Sequence, residues 1–295
     1  MDKVIRIIWF QFNRIILKYL SDSAYYNILF FVNCLRLRKK WYFLNIKKPK
    51  TFNEKILTSK SENIQFKALF ADKLNLKKGL VELGLDINIP KVIEVFKNKN
   101  ELLNYDFNRI IGKGFVIKAN HGSGMNRIFP LGSLPTMKDL FEIGSWFSYD
   151  SSLIGREKHY ALIDKKVFIE ELLDLNIRDY KFHVFKGKVE FVQIDLDRFI
   201  RHRRNIYDAQ WNLQPFDINY SKADILIEKP ENLRLMVDLA EKVSSPNTFG
   251  SYVRVDFYVN NNLIYLGEIT FHPGGGVEPF DSYESDLYMG SFFQN

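Results

Sequence analysis

The sequence predicts an α+β protein in which antiparallel hairpins and amphipathic helices occupy separate stretches of the chain. Residues 178–192 and 253–271 alternate apolar and polar side chains on both sides of a short polar turn, and this period of two indicates hairpins. Residues 66–83, 137–149 and 230–243 instead repeat apolar side chains at helical spacing. With 295 residues, 46% of them hydrophobic, the chain is long enough to bury a substantial core in one large domain or two to three subdomains.

The net charge of +7 is concentrated in the first 50 residues. These residues carry eleven Lys and Arg side chains against two Asp, a balance of +9, so the remaining residues together carry −2. The body of the protein therefore lacks a basic character, and we predict no nucleic-acid partner. The single cysteine, Cys34, excludes an intrachain disulfide and a cysteine-rich zinc site, and the five histidines are scattered without the spacing of a zinc site.

The N-terminal stretch combines basic, aromatic and apolar residues. Residues 4–20 have the apolar face of an amphipathic helix, and residues 23–35 form an uncharged run. Both are too short or too interrupted for a membrane span, which needs roughly 20 apolar residues. Because the stretch also lacks a small-residue cleavage site, we expect a cytoplasmic protein. Residues 1–40 either contact an anionic membrane surface at the inner membrane face or pack their apolar face on the body.

A helical layer is predicted next, and a strand follows it. Glu54 lies three residues after Thr51, which is the spacing of a capping box at the start of a helix. The apolar repeat of residues 66–83 predicts one helix, with Gly84 as its C-cap. Residues 87–96 then predict a strand.

A lysine followed by a glycine-rich loop is the first motif that suggests chemistry. Residues 115–117 form a buried strand, and Lys118 ends it. The loop that follows contains Gly122, Ser123 and Gly124. Backbone N–H groups in such a loop can cradle phosphate oxygens, and a lysine at a strand end can pair with phosphates as a point charge. His121 either donates a hydrogen bond to phosphate or orders the loop. The motif is neither a P-loop nor a dinucleotide-binding fingerprint.

Two acidic motifs lie further along the chain. Residues 167–173 form a strand that turns acidic at Glu170 and Glu171, which either hold a ligand or end the strand as solvated carboxylates. Asp195 and Asp197 form a D-x-D motif, which is typical of glycosyltransferases that use nucleotide sugars but is frequent by chance.

A cationic segment follows the D-x-D motif. Residues 197–204 contain the basic side chains Arg198, Arg201 and Arg203. We expect a loop or mobile flap that either closes on phosphates or an acidic substrate or remains a solvated basic loop.

The last hairpin gathers the residues around which we build the functional hypothesis. Its period of two puts Arg254, Asp256, Glu268 and Thr270 on one face of a sheet. Two carboxylates on adjacent strands are hard oxygen ligands suited to Mg²⁺, and an arginine beside them can stabilise a transferring phosphoryl group. Residues 273–276, Pro-Gly-Gly-Gly, let the backbone approach a ligand closely. The other possibility is an exposed hairpin with a wet polar face.

The order of these motifs resembles the ATP-grasp fold. Its last hairpin has an R-x-D strand, filled here by Arg254 and Asp256, and an E-x-N strand, in which Glu268 matches and Thr270 stands in place of Asn. The strings K-x-P-K-T-F-N-E-K-I and G-E-I-T-F-H-P-G-G-G are similar to the TupA-like ATP-grasp proteins of bacterial surface-polysaccharide gene clusters. The resemblance implies two α+β subdomains that clasp ATP, at residues 67–165 and 166–295, after a helical basic segment at residues 1–66.

The resemblance also implies roles for individual residues. Lys118 and Lys181 would hold phosphates, and Arg254 would stabilise an acyl phosphate. The glycine-rich loop would bind ATP through His121, Gly122, Ser123 and Gly124. The acidic strand and the strand after it would hold adenine and ribose through Glu170, Glu171, Leu173 and Asp179. The metal ligands would be Asp256, Glu268 and Thr270. Substrate contacts would come from Arg198, Arg201, Arg203, His272 and Gly275.

The implied function is ATP- and Mg²⁺-dependent ligation of a carboxylate to an amine through an acyl phosphate. The expected substrates are a small-molecule or glycan carboxylate, such as a uronic acid or acidic amino acid, and an amine, in capsule or O-antigen biosynthesis. The alternatives are an ATP-grasp kinase, a D-x-D glycosyltransferase of the same pathway and a non-catalytic scaffold at the membrane surface.

Overall fold

The computed structural model describes residues 19–175, 177–196 and 201–294. The helix predicted for residues 4–20 lies almost entirely outside the described residues. The helices of the described residues are α1 (Asp22–Leu37), α2 (Phe52–Thr58), α3 (Ile64–Ala71), α4 (Leu76–Glu82), α5 (Lys99–Leu103), α6 (Met137–Gly144), α7 (Ser151–Ile154), α8 (Leu233–Val243), α9 (Pro246–Phe249) and α10 (Tyr283–Ser291). Short 3₁₀ turns lie at Ser59–Ser61, Phe107–Ile110, Ser145–Ser148, Lys158–Leu162 and Pro273–Gly276.

Nine strands of the described residues form two antiparallel sheets. They are β1 (Val92–Phe96), β2 (Phe115–Ala119), β3 (Asn126–Phe129), β4 (Val167–Glu171), β5 (Asp179–Phe185), β6 (Lys188–Leu196), β7 (Arg203–Asp208), β8 (Tyr252–Asn260) and β9 (Leu263–Thr270). The first sheet has the order β1-β4-β2-β3 and the second β7-β6-β5-β8-β9. β4 pairs with β1 and β2, so the boundary expected between residues 165 and 166 separates it from the sheet to which it belongs. The α+β class is confirmed.

The second sheet has one apolar and one polar face, as the period of two predicts. Phe182, Val255 and Phe257 point into the main core, where they join Met236 and Ala240 of α8. Burial of these apolar side chains fixes the register, because a shift of one residue would turn them towards the opposite face. The charged residues of β5, β8 and β9 therefore lie together on the other face.

The single helix predicted for residues 66–83 is instead two helices. α3 ends at Ala71 and α4 begins at Leu76. Between them the Asp72 carboxylate accepts hydrogen bonds from the backbone N–H of Leu74 at 2.9 Å and from the Asn75 side chain at 2.7 Å. Short polar side chains that bind nearby backbone in this way compete with helical hydrogen bonding, which explains the break.

The helical segment before residue 67 packs onto the C-terminal end of the chain. The capping box of α2 is confirmed, since Thr51 and Glu54 each accept a hydrogen bond from the other's backbone N–H. Asn53 binds the Asp286 carboxylate of α10 and the carbonyl oxygen of Glu278, at 3.0 Å and 2.8 Å. These buried contacts hold α2 against the residues that follow β9.

The predicted cationic loop is in part a strand. Residues 203–208 form β7, at the edge of the second sheet, whereas residues 197–200 lie outside the described residues. Arg204 is buried and pairs with Asp195 at 2.7 Å and with Glu278 at 3.1 Å. The sequence did not predict this strand because its first three residues are polar or charged, and its first apolar residue is Ile206.

No helix within residues 19–175, 177–196 and 201–294 is long and apolar enough to cross a bilayer.

Candidate functional site

A cavity of about 490 Å³ lies between the two sheets. This volume falls within the range of small-molecule sites, roughly 300–1,000 Å³. Its wall from the first sheet includes Val116, Lys118, Asn126, Ile128 and Glu170. Its wall from the second sheet includes Asp179, Asp195, Leu196 and Tyr258. The segment that connects the sheets, including Glu171 and Leu173, closes one end.

Lys118 and Glu170 form an ion pair on the first-sheet wall. The two residues lie on the adjacent strands β2 and β4, and Lys118 Nζ is also 5.9 Å from the centre of the Tyr258 ring on β8. Burial raises the pKa of Glu170, and Lys118 opposes that shift. The predicted phosphate-binding lysine therefore faces the cavity, with a carboxylate as its partner.

His121 does not face the cavity as a donor to phosphate. Its Nδ1 is 3.1 Å from Asn120 Oδ1, and its Nε2 is 3.0 Å from the carbonyl oxygen of Trp146. Asn120 is itself bound to Asp72 at 2.9 Å. Because both ring nitrogens have neighbours within the protein, the geometry favours the alternative that His121 orders the loop, and its contact with phosphate stays a prediction.

The glycine-rich loop lines a second, smaller cavity of about 50 Å³, which shares Lys118 and Tyr258 with the first. A side chain at Gly122 would lie 2.6 Å from Ser151 Oγ, and Gly124 has a φ of +73°. A larger residue at position 122 would have to displace the Ser151 side chain, and the φ of Gly124 lies in the left-handed region that favours glycine. Ser123 lies between them on the wall of the same cavity.

Lys73 joins this site, although the candidate site residues drawn from the sequence did not include it. Its Nζ donates to the carbonyl oxygen of Gly122 at 3.0 Å and lies 3.8 Å from Glu268 Oε2. It links the loop of the first sheet to β9 of the second. The Asp72-Lys73 pair at the break between two helices was the available signal, and the expectation of a continuous helix obscured it.

Arg254, Asp256, Glu268 and Thr270 share one face of the second sheet, as predicted. Arg254 donates to both carboxylate oxygens of Asp256, each at 2.7 Å, and to Thr270 Oγ1 at 3.2 Å. The Thr270 hydroxyl donates to Glu268 Oε1 at 3.0 Å. Asp256 and Glu268 are cross-strand partners. Thr270 thus orients Glu268, and its role as a metal ligand stays a prediction.

The two carboxylates differ in their electrostatic environment. Burial raises the pKa of Asp256 to about 6, although Arg254 and Lys181 act in the opposite direction. Burial also opposes ionisation of Glu268, but the cations Lys73 and Arg254 outweigh it and lower the pKa of that carboxyl. Glu268 is therefore held ionised, which suits a ligand of a hard cation.

Lys181 is surrounded by carboxylates. It forms an ion pair with Asp179 and lies 3.4 Å from Asp195 Oδ2 and 4.0 Å from Asp256 Oδ2. Asp195, predicted only as part of the D-x-D motif, thus belongs to this site. The second aspartate of that motif, Asp197, lies outside the described residues.

Glu170, Glu171 and Leu173, which the family resemblance assigns to adenine, line the cavity. Glu171 Oε1 accepts a hydrogen bond from the backbone N–H of Lys91 at 2.9 Å, and the carbonyl oxygen of Leu173 accepts one from Asn260 at 3.4 Å. Their contacts with adenine, and that of Asp179 with ribose, stay predictions.

The predicted substrate residues are dispersed. Arg198 lies outside the described residues. Arg201 is exposed and Arg203 Nη2 is 3.9 Å from Asp224, and neither belongs to the described lining of the cavity. His272 is buried beneath Lys67, and Gly275 lies in the turn after β9.

Comparisons with known proteins point in one direction. A model of the TupA-like ATP-grasp family matches residues 33–294. The chain is similar to D-alanine–D-alanine ligase from Bacillus anthracis complexed with ATP, with 21% identity and a TM-score of 0.43 over 72% of this chain and 58% of that one.

Two further solved structures are similar to the chain. The D-alanine–D-alanine ligase from Helicobacter pylori has 19% identity and a TM-score of 0.40 over 77% of this chain and 61% of that one. The ADP complex of N5-carboxyaminoimidazole ribonucleotide synthetase has 13% identity and a TM-score of 0.41 over 71% and 46%. The chain spans less than two thirds of each of these three proteins. No curated protein sequence matches it.

Proposed function

The chain belongs to the TupA-like ATP-grasp family, and from that premise we propose that it is an ATP-dependent ligase that joins a carboxylate to an amine. The observation that carries the proposal is the arrangement of Arg254, Asp256 and Glu268 on one sheet face. Glu268 lines the smaller cavity together with Lys73, Lys118 and the glycine-rich loop, and Lys118 also lines the larger cavity between the sheets. This arrangement puts phosphate-binding groups and hard oxygen donors next to a volume that suits a nucleotide.

ATP would lie in the larger cavity. Lys118 lines it from the first sheet, and Lys181 contacts Asp179 and Asp195, which line it from the second sheet. Both lysines would exchange carboxylate partners for phosphate oxygens. The loop at Gly122–Gly124 would add backbone N–H groups at the smaller cavity, next to Lys73. The adenine end would lie against Leu173 and Glu171.

The donor set fits Mg²⁺. Asp256 and Glu268 offer carboxylate oxygens from paired positions of adjacent strands, and hard oxygen donors are the ligands that Mg²⁺ prefers. When bound, the ion would neutralise phosphate charge. Thr270 and Arg254 would hold the two carboxylates in orientation through the hydrogen bonds described above.

Ligation would proceed in two transfers. An oxygen of the substrate carboxylate attacks the γ-phosphorus and the bond to the β-phosphate oxygen breaks, giving an acyl phosphate and ADP. The amine then attacks the acyl carbon, phosphate leaves, and the nitrogen loses its proton as the amide forms. Arg254 would stabilise the negative charge of the phosphoryl group, since its guanidinium is held rigidly by Asp256.

The substrates proposed are a uronic acid or acidic amino acid and an amino compound, in capsule or O-antigen biosynthesis, as the family resemblance implies. Association with the inner membrane face is part of the same proposal. It is supported by α1, which exposes the apolar side chains Ile28, Phe31, Val32 and Leu35 near Trp41 and Phe43. Basic residues adjoin this surface at Arg36, Arg38 and Lys40. Such a surface suits an anionic bilayer.

Calorimetry with ATP and Mg²⁺ tests the nucleotide site. We expect metal-dependent binding by the wild type and its loss in Asp256→Asn/Glu268→Gln. The matched control, Asp238→Asn/Glu228→Gln, makes the same chemical changes at exposed positions away from the cavity and should bind normally. A folded wild type that does not bind ATP would contradict the proposal. ADP release with amide product identifies ligation, whereas a phosphorylated product would identify a kinase.

A further inference from the structure

We propose that Glu157, His159 and His272 form a binding site for one transition-metal ion of the Zn²⁺ type, separate from Asp256 and Glu268. Each of the three side chains offers one ligand atom, and these atoms lie within 4.8 Å of one another. Glu157 and His159 belong to the turn before β4, whereas His272 follows β9. The site would therefore join two segments that are more than 100 residues apart in sequence.

Two imidazole nitrogens in this cluster have no hydrogen-bond partner among the described residues. They are Nδ1 of His159 and Nδ1 of His272, and the two residues are only 1% and 3% exposed. His272 Nδ1 lies 3.4 Å from Glu157 Oε2, but without the geometry of a hydrogen bond. A buried polar atom without a partner destabilises the folded protein. Such atoms are rare in native proteins, and coordination of an ion would satisfy both nitrogens at once.

The donor set specifies the class of metal. Two imidazoles and one carboxylate suit Zn²⁺ and related divalent ions, whereas Mg²⁺ prefers oxygen ligands alone. Ligand atoms around a tetrahedral zinc lie about 3.3 Å apart, since each is about 2.0 Å from the metal. Glu157 is the partly exposed member of the cluster, so its side chain has room to move the required distance.

Two lysines border the cluster and limit its affinity for a cation. Lys67 Nζ is 3.3 Å from His272 Nε2 and donates to the carbonyl oxygen of Ser59 at 2.5 Å. Lys60 donates to the carbonyl oxygen of Gly155 at 2.7 Å. A metal ion on His272 Nδ1 leaves the ring proton on Nε2, which then cannot accept a hydrogen bond from Lys67. The ion would therefore bind against both the charge and the hydrogen bond of Lys67. Replacement of Lys67 by a neutral residue should therefore raise the affinity for the metal ion, whereas a variant that merely unfolds would bind the ion less tightly.

The ion would clip the Pro273–Gly276 turn to the segment before β4. Three protein ligands leave a fourth position for water, as in zinc sites that keep an open position. The site does not require nucleotide. A negative result for Zn²⁺ binding can therefore be told apart from a negative result for ATP binding.

The experiment titrates the chelator-treated full-length protein with Zn²⁺ by calorimetry and with Co²⁺ by visible absorbance. We expect one ion per chain and the absorption bands of a four-coordinate Co²⁺ site. Because loss of a residue that only orients a metal ligand costs about 10–100-fold in affinity, His159→Ala and His272→Ala should each weaken binding by more than about 100-fold. Lys67→Met should bind more tightly than the wild type. The control His202→Gln, which changes a histidine outside the cluster, should bind as the wild type does.

Several results would overturn the proposal. They are no Zn²⁺ binding by the wild type, binding that survives in His159→Ala/His272→Ala, and binding that is lost in Asp256→Asn/Glu268→Gln. The last would place the ion at the second-sheet carboxylates. If the histidine variants do not fold, Glu157→Gln and Lys67→Met decide the question, since they should shift the affinity in opposite directions.

Discussion

At the scale of single residues, His183 lies on the polar face of the second sheet, opposite Arg254 on the neighbouring strand. Its Nδ1 is 2.8 Å from the Tyr252 hydroxyl, and its Nε2 is 3.2 Å from Gln193 Oε1. Burial, reinforced by the positive charge of Arg254, lowers the pKa of His183 to about 3. The neutral imidazole can thus accept from Tyr252 and donate to Gln193, whose amide in turn donates to Asp195 at 3.1 Å.

His183 predicts a loss of stability in acid. Below its ordinary pKa of about 6.5, the unfolded chain binds a proton at this residue and the folded chain does not, until the pH reaches about 3. The free energy of unfolding therefore falls by about 1.4 kcal/mol per pH unit for this proton as the pH is lowered through that window. In His183→Gln this contribution disappears and the slope becomes shallower. Urea unfolding at several pH values measures it.

His183→Asn is the companion variant, because it also removes the titratable imidazole but leaves a side chain shorter than that of Gln. Its absolute stability can differ, but its pH slope should match that of His183→Gln. A variant slope equal to the wild-type slope would show that His183 is protonated in the folded protein.

The residues that the sequence predicted correctly are those whose placement depends on local period. Arg254 and Asp256 share a face because they are two apart on one strand, and Thr270 and Glu268 do so for the same reason. Lys73, by contrast, reaches the site through a helix break, and no local pattern shows that. The convergence of His159 and His272 likewise depends on long-range packing.

At the scale of elements, the backbone of α10 lies directly against the backbone at the start of α2. A side-chain carbon at Gly290 would lie 2.5 Å from the carbonyl oxygen of Lys50 and 2.7 Å from the backbone nitrogen of Phe52. Only glycine allows the two backbones to meet at this distance. The helical N-terminal segment and the C-terminal helix are therefore one structural unit.

Gly290→Ala should destabilise the protein although alanine favours helix formation by about 1 kcal/mol. The clash is with backbone, and we expect a net loss of about 1–3 kcal/mol, as for overpacked cores. The urea midpoint measures it. Gly112→Ala is the control, because nothing lies within 4 Å of a side chain at that position. Equal urea midpoints for Gly290→Ala and the wild type would contradict the prediction, because they would show that α10 and α2 can move apart without a loss of stability.

Element type was easier to predict than element boundaries. The two hairpins and α8 follow from apolar periods that tertiary packing reinforces. The edge strand β7 was missed because its first residues, Arg203 and Arg204, are basic, and the charge of the buried Arg204 is neutralised by Asp195 and Glu278.

At the scale of the whole molecule, the exposed apolar surface of α1 makes a prediction about membranes. The protein should sediment with vesicles that contain phosphatidylglycerol, and less with neutral vesicles or at high salt, because salt screens the basic side chains. Phe31→Ser/Leu35→Ser should weaken this binding. The control Ile225→Ser/Leu226→Ser removes two apolar side chains elsewhere that are more exposed than Phe31 and Leu35. Equal binding by both double variants would exclude α1 as the contact.

The α+β class was predictable as a whole, and so was the order of the motifs along the chain. The pairing of β4 with the first sheet was not, because a strand that follows helices carries no local mark of its partner. β4 contributes Glu170 and Glu171 to the lining of the inter-sheet cavity.

The ion pairs inside this cavity have a consequence for selectivity. Glu170 and Asp179 are resident anions that already occupy the two lysines. Under the proposed function, an entering ligand would exchange with both carboxylates, so its own anionic groups would have to reach both lysines at once. A ligand with a single phosphate would replace one resident anion at most, whereas a polyphosphate chain would replace both. We therefore expect the site to prefer ligands by the number and span of their negative charges.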